Sequence, residues 1–121
     1  MADTAKSKIV LDLAQILDEH SGVDTLVLDI REQSSWTDYF VISTVSSHAH
    51  MKGILRYVRE YLSNKQIVPL HPHKNSRDDG WMLIDCGSFI VHLMSAELRG
   101  FYELERLWYT GKVLYHSSKS S

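Results

Sequence analysis

The sequence contains one cysteine, two prolines and no strong excess of either charge, and these scarcities exclude several classes of protein. With Cys86 alone, no internal disulfide can form, which fits a reducing compartment. No window has the roughly 18 uninterrupted apolar residues of a membrane-spanning helix. Residues 1–8 lack an apolar signal core, so we expect a cytoplasmic protein with no membrane partner. The net charge of −2 argues against a protein that coats nucleic acid.

The 121 residues, 44% of them hydrophobic, are enough for one domain with one packed core. Charge is unevenly distributed along the chain. Residues 1–40 carry three basic and eight acidic side chains, whereas residues 41–70 carry four basic and one acidic. The asymmetry predicts a mildly basic middle helix that could orient the protein on a charged partner. Ordinary solvated helix faces are the alternative interpretation.

Hydrophobic periodicity predicts three helices, at about residues 4–19, 47–64 and 95–110. Ser46 or Ser47 is suited to cap the second helix, and Ser95 to cap the third. In the second helix the cationic residues lie off the apolar stripe and are predicted to face outward: Lys52, Arg56 and Arg59.

Runs rich in β-branched and aromatic residues predict five strands, at residues 25–28, 39–45, 67–68, 81–86 and 89–94. Gly87, first of two connecting residues, predicts a type II′ antiparallel hairpin between the last two strands. The helix after the second strand predicts a parallel crossover to the third. The fold class is therefore α/β (α+β-like), with a mixed sheet of about five strands packed by helices in the order α-β-β-α-β-β-β-α. We expect a single domain over residues 1–110 and a flexible tail over 111–121.

The sequence has no pattern typical of a catalytic, metal or cofactor site. The histidine pairs His48/His50 and His71/His73 lack the cysteine or the helical acidic partner that would close a zinc site. No cation adjoins Cys86 to lower the pKa of its thiol. We therefore predict no catalytic residue, no metal and no cofactor. His92, inside a strand, is interpreted as a hydrogen-bonded structural histidine or as part of an exposed binding face.

The segment 98–108 is the most informative part of the chain, because it holds three aromatic and four charged residues. One helical face cannot bury all of its apolar groups, and aromatic residues mixed with Arg and Glu are typical of interfaces. Core positions are predicted for Phe101, Leu104 and Trp108. Contact with a partner is predicted for Tyr102, Glu105 and Arg106.

These residues resemble the Iojap family, the ribosomal silencing factors (RsfS). The motifs that carry the resemblance are Asp38-Tyr-Phe-Val-Ile42, Trp81-Met-Leu-Ile-Asp85, Ile90-Val-His92 and Arg99-Gly-Phe-Tyr-Glu-Leu-Glu-Arg-Leu-Trp108. The resemblance spans roughly residues 5–109. The chain departs from the family pattern at Val45, where a glycine is usual, and at His73-Lys74, where the family usually has Glu-Gly.

The resemblance implies a nucleotidyltransferase-like fold without catalytic carboxylates, and therefore a protein that is not an enzyme. It implies binding to the large ribosomal subunit through the universal large-subunit protein fourteen, which blocks joining of the small subunit and represses translation under nutrient limitation. The partner-binding residues carried over by position are Trp81, Leu83, Asp85, His92, Tyr102, Glu105 and Arg106.

The sequence does not give the oligomeric state, but spare apolar surface on the hairpin is compatible with a homodimer when the ribosome is absent. We expect no direct sequence-specific contact with nucleic acid. Two alternative functions stay open. One is a general RNA-binding module that uses the Lys52, Arg56 and Arg59 face, and the other is a degenerate nucleotidyltransferase-like enzyme.

Overall fold

The computed structural model describes residues 2–32, 34–35, 37–70, 80–102 and 112–117. The helices are α1 (Ala2–Glu19), α2 (His48–Asn64) and α3 (Ala96–Tyr102); the strands are β1 (Val23–Asp29), β2 (Tyr39–Val45), β3 (Trp81–Asp85), β4 (Phe89–Ser95) and β5 (Lys112–His116). Within the described residues, no helix is long and apolar enough to cross a membrane.

The five strands form one mixed sheet in the order β3-β4-β2-β1-β5. Strands β2 and β4 run parallel, from Tyr39 opposite Phe89 to Val45 opposite Ser95. The remaining neighbours are antiparallel, including the β3–β4 hairpin. The predicted mixed five-stranded sheet and its antiparallel hairpin are therefore confirmed. The parallel neighbour of β2 is β4, however, and not the predicted strand at 67–68.

The predicted strand at residues 67–68 does not form. The backbone N–H of Ile67 instead donates to the Leu62 carbonyl at 2.8 Å, where it helps to terminate α2. Pro69 has no backbone N–H to offer a neighbouring strand. The Leu70 N–H connects this segment to the sheet by donating to the Asp85 carbonyl at 2.9 Å.

Residues 112–117, predicted to belong to a flexible tail, are part of the sheet. Strand β5 pairs antiparallel with β1, from Asp29 opposite Lys112 to Leu26 opposite His116. The Tyr115 hydroxyl also hydrogen-bonds the Asp18 carboxylate of α1. The prediction was wrong for this stretch, and the domain continues past residue 110. The strand could not be recognised from the local composition, because it is stabilised by β1, which lies near the start of the chain.

Helices cover both faces of the sheet. Helices α1 and α2 pack on one face of the sheet, which we call the α1–α2 face. The side chains that β2 and β4 direct toward this face are buried between the sheet and the two helices. Helix α3 follows β4 directly and lies on the other face, which we call the α3 face, where Leu98 packs on the buried side chains. Those side chains are Leu26, Leu28, Ile30, Phe40, Ile42, Ile90 and Met94. Strand β2 is thus central and buried on both sides.

The predicted caps of α2 and α3 form as expected. The hydroxyl of Ser47 accepts a hydrogen bond from the His50 N–H at 3.0 Å. The hydroxyl of Ser95 accepts one from the Leu98 N–H at 3.1 Å. Each cap satisfies an N–H group that has no partner inside its helix, so the two helices begin at defined places after β2 and β4.

Candidate functional site

The hairpin β3–β4 lies at one edge of the sheet and collects four of the predicted partner-binding residues. Because side chains alternate along a strand, Trp81, Leu83 and Asp85 share the α3 face. Leu83 is paired with His92 on β4. Leu83 is the most accessible of the four, with 43% of its surface exposed, and Trp81 and Asp85 are half-buried. The hairpin therefore presents an apolar centre beside an acidic group on an edge strand.

His92 lies beneath this surface and not on it. It is only 4% exposed, and its ring meets the Phe40 ring edge-on with centroids 4.7 Å apart. Nδ1 of His92 accepts a hydrogen bond from Nε1 of Trp81 at 3.2 Å. Burial lowers the pKa of His92 to about 4, so the ring is neutral at neutral pH and its proton sits on Nε2. Among the described residues, Nε2 has no hydrogen-bond partner. The structural interpretation of His92 fits this geometry, and its direct effect is to orient Trp81.

Asp85 shapes the turn of the hairpin. Its Oδ1 accepts a hydrogen bond from the Gly87 N–H at 2.9 Å, and Gly87 has the positive φ, 84°, predicted for the first connecting residue. This bond orients the carboxylate toward the tip of the hairpin while leaving part of it in solvent. A negative charge is therefore held in a defined position at the end of the edge strand.

The predicted helical part of the site is only partly described. Tyr102 is the last residue of α3, and Glu105 and Arg106 lie outside the described residues, as do Leu104 and Trp108. Helix α3 begins at the end of β4 that lies beside Trp81, since Trp81 is paired with Met94. Trp81 and Leu98 both pack on the buried side chains of the α3 face. The hairpin and the start of α3 thus form one continuous surface.

Arg99 is a structural residue that the sequence reasoning missed, except as the first residue of a family motif. It is 8% exposed, and its Nη1 donates to the Asp24 carbonyl at 2.6 Å and to the Thr44 hydroxyl at 3.0 Å. These bonds tie α3 to the ends of β1 and β2, beside a cavity of about 900 Å³ that Ser46 and Ser95 help to line. A cation among the apolar neighbours Leu98, Gly100 and Phe101 was the available signal.

The described residues contain no group of three or more His, Cys, Asp or Glu side chains that could hold a metal ion. His50 uses both ring nitrogens inside the fold, Nδ1 with the Ser46 N–H at 2.9 Å and Nε2 with the His20 carbonyl at 2.8 Å. His71 and His73 lie outside the described residues. Burial, and secondarily the charge of Asp85, raises the pKa of Cys86 to about 11, so its thiol stays protonated.

Comparison with known proteins gives consistent matches over nearly the whole chain. A family model described as "Ribosomal silencing factor during starvation" matches residues 3–120. A ribosomal silencing factor RsfS of Treponema pallidum is 35% identical over 97 residues, which are 79% of this chain and 86% of that protein. These matches confirm the resemblance inferred from the motifs.

Two further matches extend the comparison. The mouse protein named "Mitochondrial assembly of ribosomal large subunit protein 1" is 34% identical over 110 residues. The match covers 88% of this chain and 48% of the mouse protein, so the chain spans about half of that relative's length. A crystal structure from Chromobacterium violaceum has a TM-score of 0.74 at 23% identity, with 93% of this chain and 92% of that chain covered. It shows the same fold. The Treponema relative is named for ribosomal silencing, and the mouse relative for assembly of the large ribosomal subunit.

Proposed function

Since the chain belongs to the ribosomal silencing factor family, we propose that it binds the large ribosomal subunit through the universal large-subunit protein fourteen and thereby blocks joining of the small subunit. Repression of translation under nutrient limitation follows from that block. The protein acts in the cytoplasm and by occupancy, so no chemical step is needed.

The observation that carries this proposal is the exposed Leu83 at the centre of the edge strand β3, between Trp81 and Asp85. An exposed apolar side chain beside a tryptophan can anchor a partner, since tryptophan is a residue type enriched among binding hot spots. Orientation of Trp81 by the buried His92 limits the side-chain entropy that binding would cost. Asp85 supplies a negative charge that can pair with the basic residues common in ribosomal proteins. Such a pair speeds association and fixes the orientation of the two docked proteins.

The block of subunit joining is steric. A compact chain of 121 residues has a radius of gyration of about 14 Å. Docked on the face where the two subunits meet, a body of that size excludes the second subunit. Tyr102, Glu105 and Arg106 complete the proposed surface, because α3 begins beside Trp81 and continues from the same hairpin.

A homodimer in the absence of ribosomes uses the same edge. Strand β3 has β4 as its only neighbouring strand in the described sheet, and its exposed Leu83 would be covered by a second copy. Dimerisation and ribosome binding are then mutually exclusive. Light scattering across a concentration series measures this, and a Leu83→Glu variant that dimerises as well as the wild type would contradict it.

The function is tested by sedimentation in sucrose gradients with purified subunits. Wild-type protein is expected to travel with large subunits and to prevent joining. Leu83→Glu places a charge in the proposed contact and should weaken binding by at least about 30-fold. The matched control is Val113→Glu, since Val113 is an aliphatic residue that is 54% exposed on β5, the opposite edge strand.

Two outcomes and one further variant separate the parts of the proposal. Wild-type protein that stays at the top of the gradient and leaves joining unchanged contradicts the function itself. Binding by the wild type that survives Leu83→Glu contradicts the hairpin as the contact surface. A Tyr102→Ala, Glu105→Ala double variant tests the helical part, and its folding is checked by thermal melting.

A further inference from the structure

Helix α2 carries three exposed cations along one side: Lys52, Arg56 and Arg59. They lie outside the buried stripe of the helix, as predicted. Tyr61 donates its hydroxyl to Asp12 of α1 and so marks the side of α2 that faces α1. Lys52 is about two and a half turns from Tyr61 and therefore lies on the opposite side. We call these three residues the α2 basic stripe.

The stripe lacks the acidic partners that three other cations of the described chain have. Lys6 pairs with Asp38, Lys8 with Asp12, and Arg31 with Asp29. Within the described residues, no ion pair involves a member of the stripe. Three unpaired positive charges on one side of a helix are notable in a chain whose net charge is −2. Glu60 is the one acidic residue of α2, so this side of the helix keeps a net positive charge that can attract an anionic partner.

The stripe is mounted on a rigid support. Five residues of α2 are buried on the sheet: Met51, Ile54, Leu55, Val58 and Leu62. From Lys52 to Arg59 the stripe spans about 10 Å along the helix axis. A row of that length can contact about three successive backbone phosphates of a nucleic-acid strand.

The stripe adjoins the hairpin surface around the edge of the sheet. Arg59 lines a groove of about 300 Å³ together with Val68 and Pro69. The next residue in the chain is Leu70, whose N–H bonds to the Asp85 carbonyl at the end of β3. When a ribosomal protein covers Leu83, the parts of the large subunit next to that protein would therefore lie close to Arg59.

We propose that the α2 basic stripe binds the phosphate backbone of large-subunit ribosomal RNA beside the protein contacted by the hairpin. The inference rests on the proposed function and deepens it, because it adds RNA to the contact surface. Recognition is through charge and shape and reads no sequence, since the deep, narrow major groove of RNA helices does not admit side chains. The overall negative charge of the chain keeps this contact dependent on the hairpin.

Phosphate contact predicts how the affinity for the large subunit depends on salt concentration. Each phosphate neutralised adds about 0.7–0.9 to the slope of log K against log salt concentration. Removing three such contacts should lower the slope by about 2. Between 50 and 200 mM salt, the affinity ratio of wild type to variant should then shrink by about 16-fold.

The experiment compares the full chain with a Lys52→Gln, Arg56→Gln, Arg59→Gln variant. Binding is measured from 50 to 300 mM KCl against intact large subunits and, separately, against isolated large-subunit protein fourteen. The control variant, Lys6→Gln, Lys8→Gln, Lys65→Gln, removes the same charge from paired cations and from Lys65, which lies over the Tyr61 ring. We expect the stripe variant to lose affinity and slope on subunits only, and the control variant to match the wild type on both partners.

The possible results distinguish this inference from the proposed function. An unchanged slope on subunits overturns the RNA contact while leaving the hairpin proposal intact. Equal weakening on isolated protein fourteen assigns the stripe to a protein partner and also overturns it. A stripe-dependent slope without any binding to protein fourteen supports the RNA contact and contradicts the proposed protein partner. Wild-type protein that binds neither partner contradicts both proposals.

Discussion

Trp81 and His92 are joined across the hairpin by a hydrogen bond of 3.2 Å from the indole Nε1 to the imidazole Nδ1. The donor belongs to the half-buried surface and the acceptor to the core. The pair therefore links the packing of the α3 face to the orientation of a proposed contact residue.

The bond should be measurable as a coupling energy. In a double-mutant cycle of Trp81→Phe and His92→Phe, we expect a coupling of about 1 kcal/mol in the free energy of unfolding in urea. Trp81→Phe combined with Val113→Ala is the control, because these residues lie on opposite edge strands and should be additive within about 0.5 kcal/mol. Additivity in the Trp81 and His92 cycle would show that the bond contributes nothing to stability.

His92 predicts a specific loss of stability in acid. Its folded-state pKa of about 4 lies below the ordinary value of 6.5 because burial penalises the charged ring. Between these pH values the unfolded chain binds a proton that the folded chain does not, so the free energy of unfolding falls as pH decreases, by up to about 1.4 kcal/mol per pH unit. Above pH 6.5, and below pH 4, this residue adds no further slope.

The measurement is urea unfolding at pH values from 4 to 8, with His92→Phe beside the wild type. The difference between the two curves isolates His92 from the other histidines. Parallel curves across the whole range would contradict the burial of a neutral His92.

Two glycines should respond to alanine in opposite directions. Gly87→Ala should destabilise by about 1–2 kcal/mol, because φ is 84° and an L side chain is strained there. Space is not limiting, since the nearest atom, Cδ1 of Leu70, would be 3.6 Å from the new Cβ. Gly53→Ala should stabilise by about 0.5–1 kcal/mol, because it lies inside α2 and its Cβ would meet nothing within 4 Å. Thermal melts with equal shifts of the same sign would refute this contrast.

Arg99 is expected to hold α3 on the sheet. Arg99→Met removes the donor to the Asp24 carbonyl and the Thr44 hydroxyl and should cost about 3 kcal/mol of stability. Hydrogen exchange should accelerate in α3 and at the start of β1. Arg56→Met is the matched control, because Arg56 is exposed and should change stability by less than about 0.5 kcal/mol. Similar losses in both variants would contradict an anchoring role for Arg99.

Much of the fold could be predicted because its signals are local. The bounds of β2 were predicted at Tyr39–Val45, and the Gly87 turn and the Ser47 and Ser95 caps follow from the chemistry of neighbouring residues. Strand β5 was missed since its five residues are stabilised by β1, far away in the chain. The predicted strand at 67–68 failed because the Ile67 N–H was already used by the end of α2.

Some features of the candidate site were likewise available from the sequence, and others depended on the tertiary structure. Trp81, Leu83 and Asp85 were carried over from the family resemblance, and the structure places them on one face of β3. The sequence left two interpretations of His92 open, because the choice depends on Phe40 from β2 and on the packing of the α3 face. Arg99 was missed for a similar reason, since its acceptors lie on β1 and β2.

The sequence by itself determined the family, the helix stripes, the hairpin and the outward position of the α2 basic stripe, because each of these depends on residues close together in the chain. The tertiary structure decided which strands lie at the edges, which put Leu83 at an accessible position and His92 beneath it. It also decided that the α2 basic stripe adjoins the hairpin around the edge of the sheet. Such relationships depend on contacts between distant segments, whose net stability no local pattern encodes.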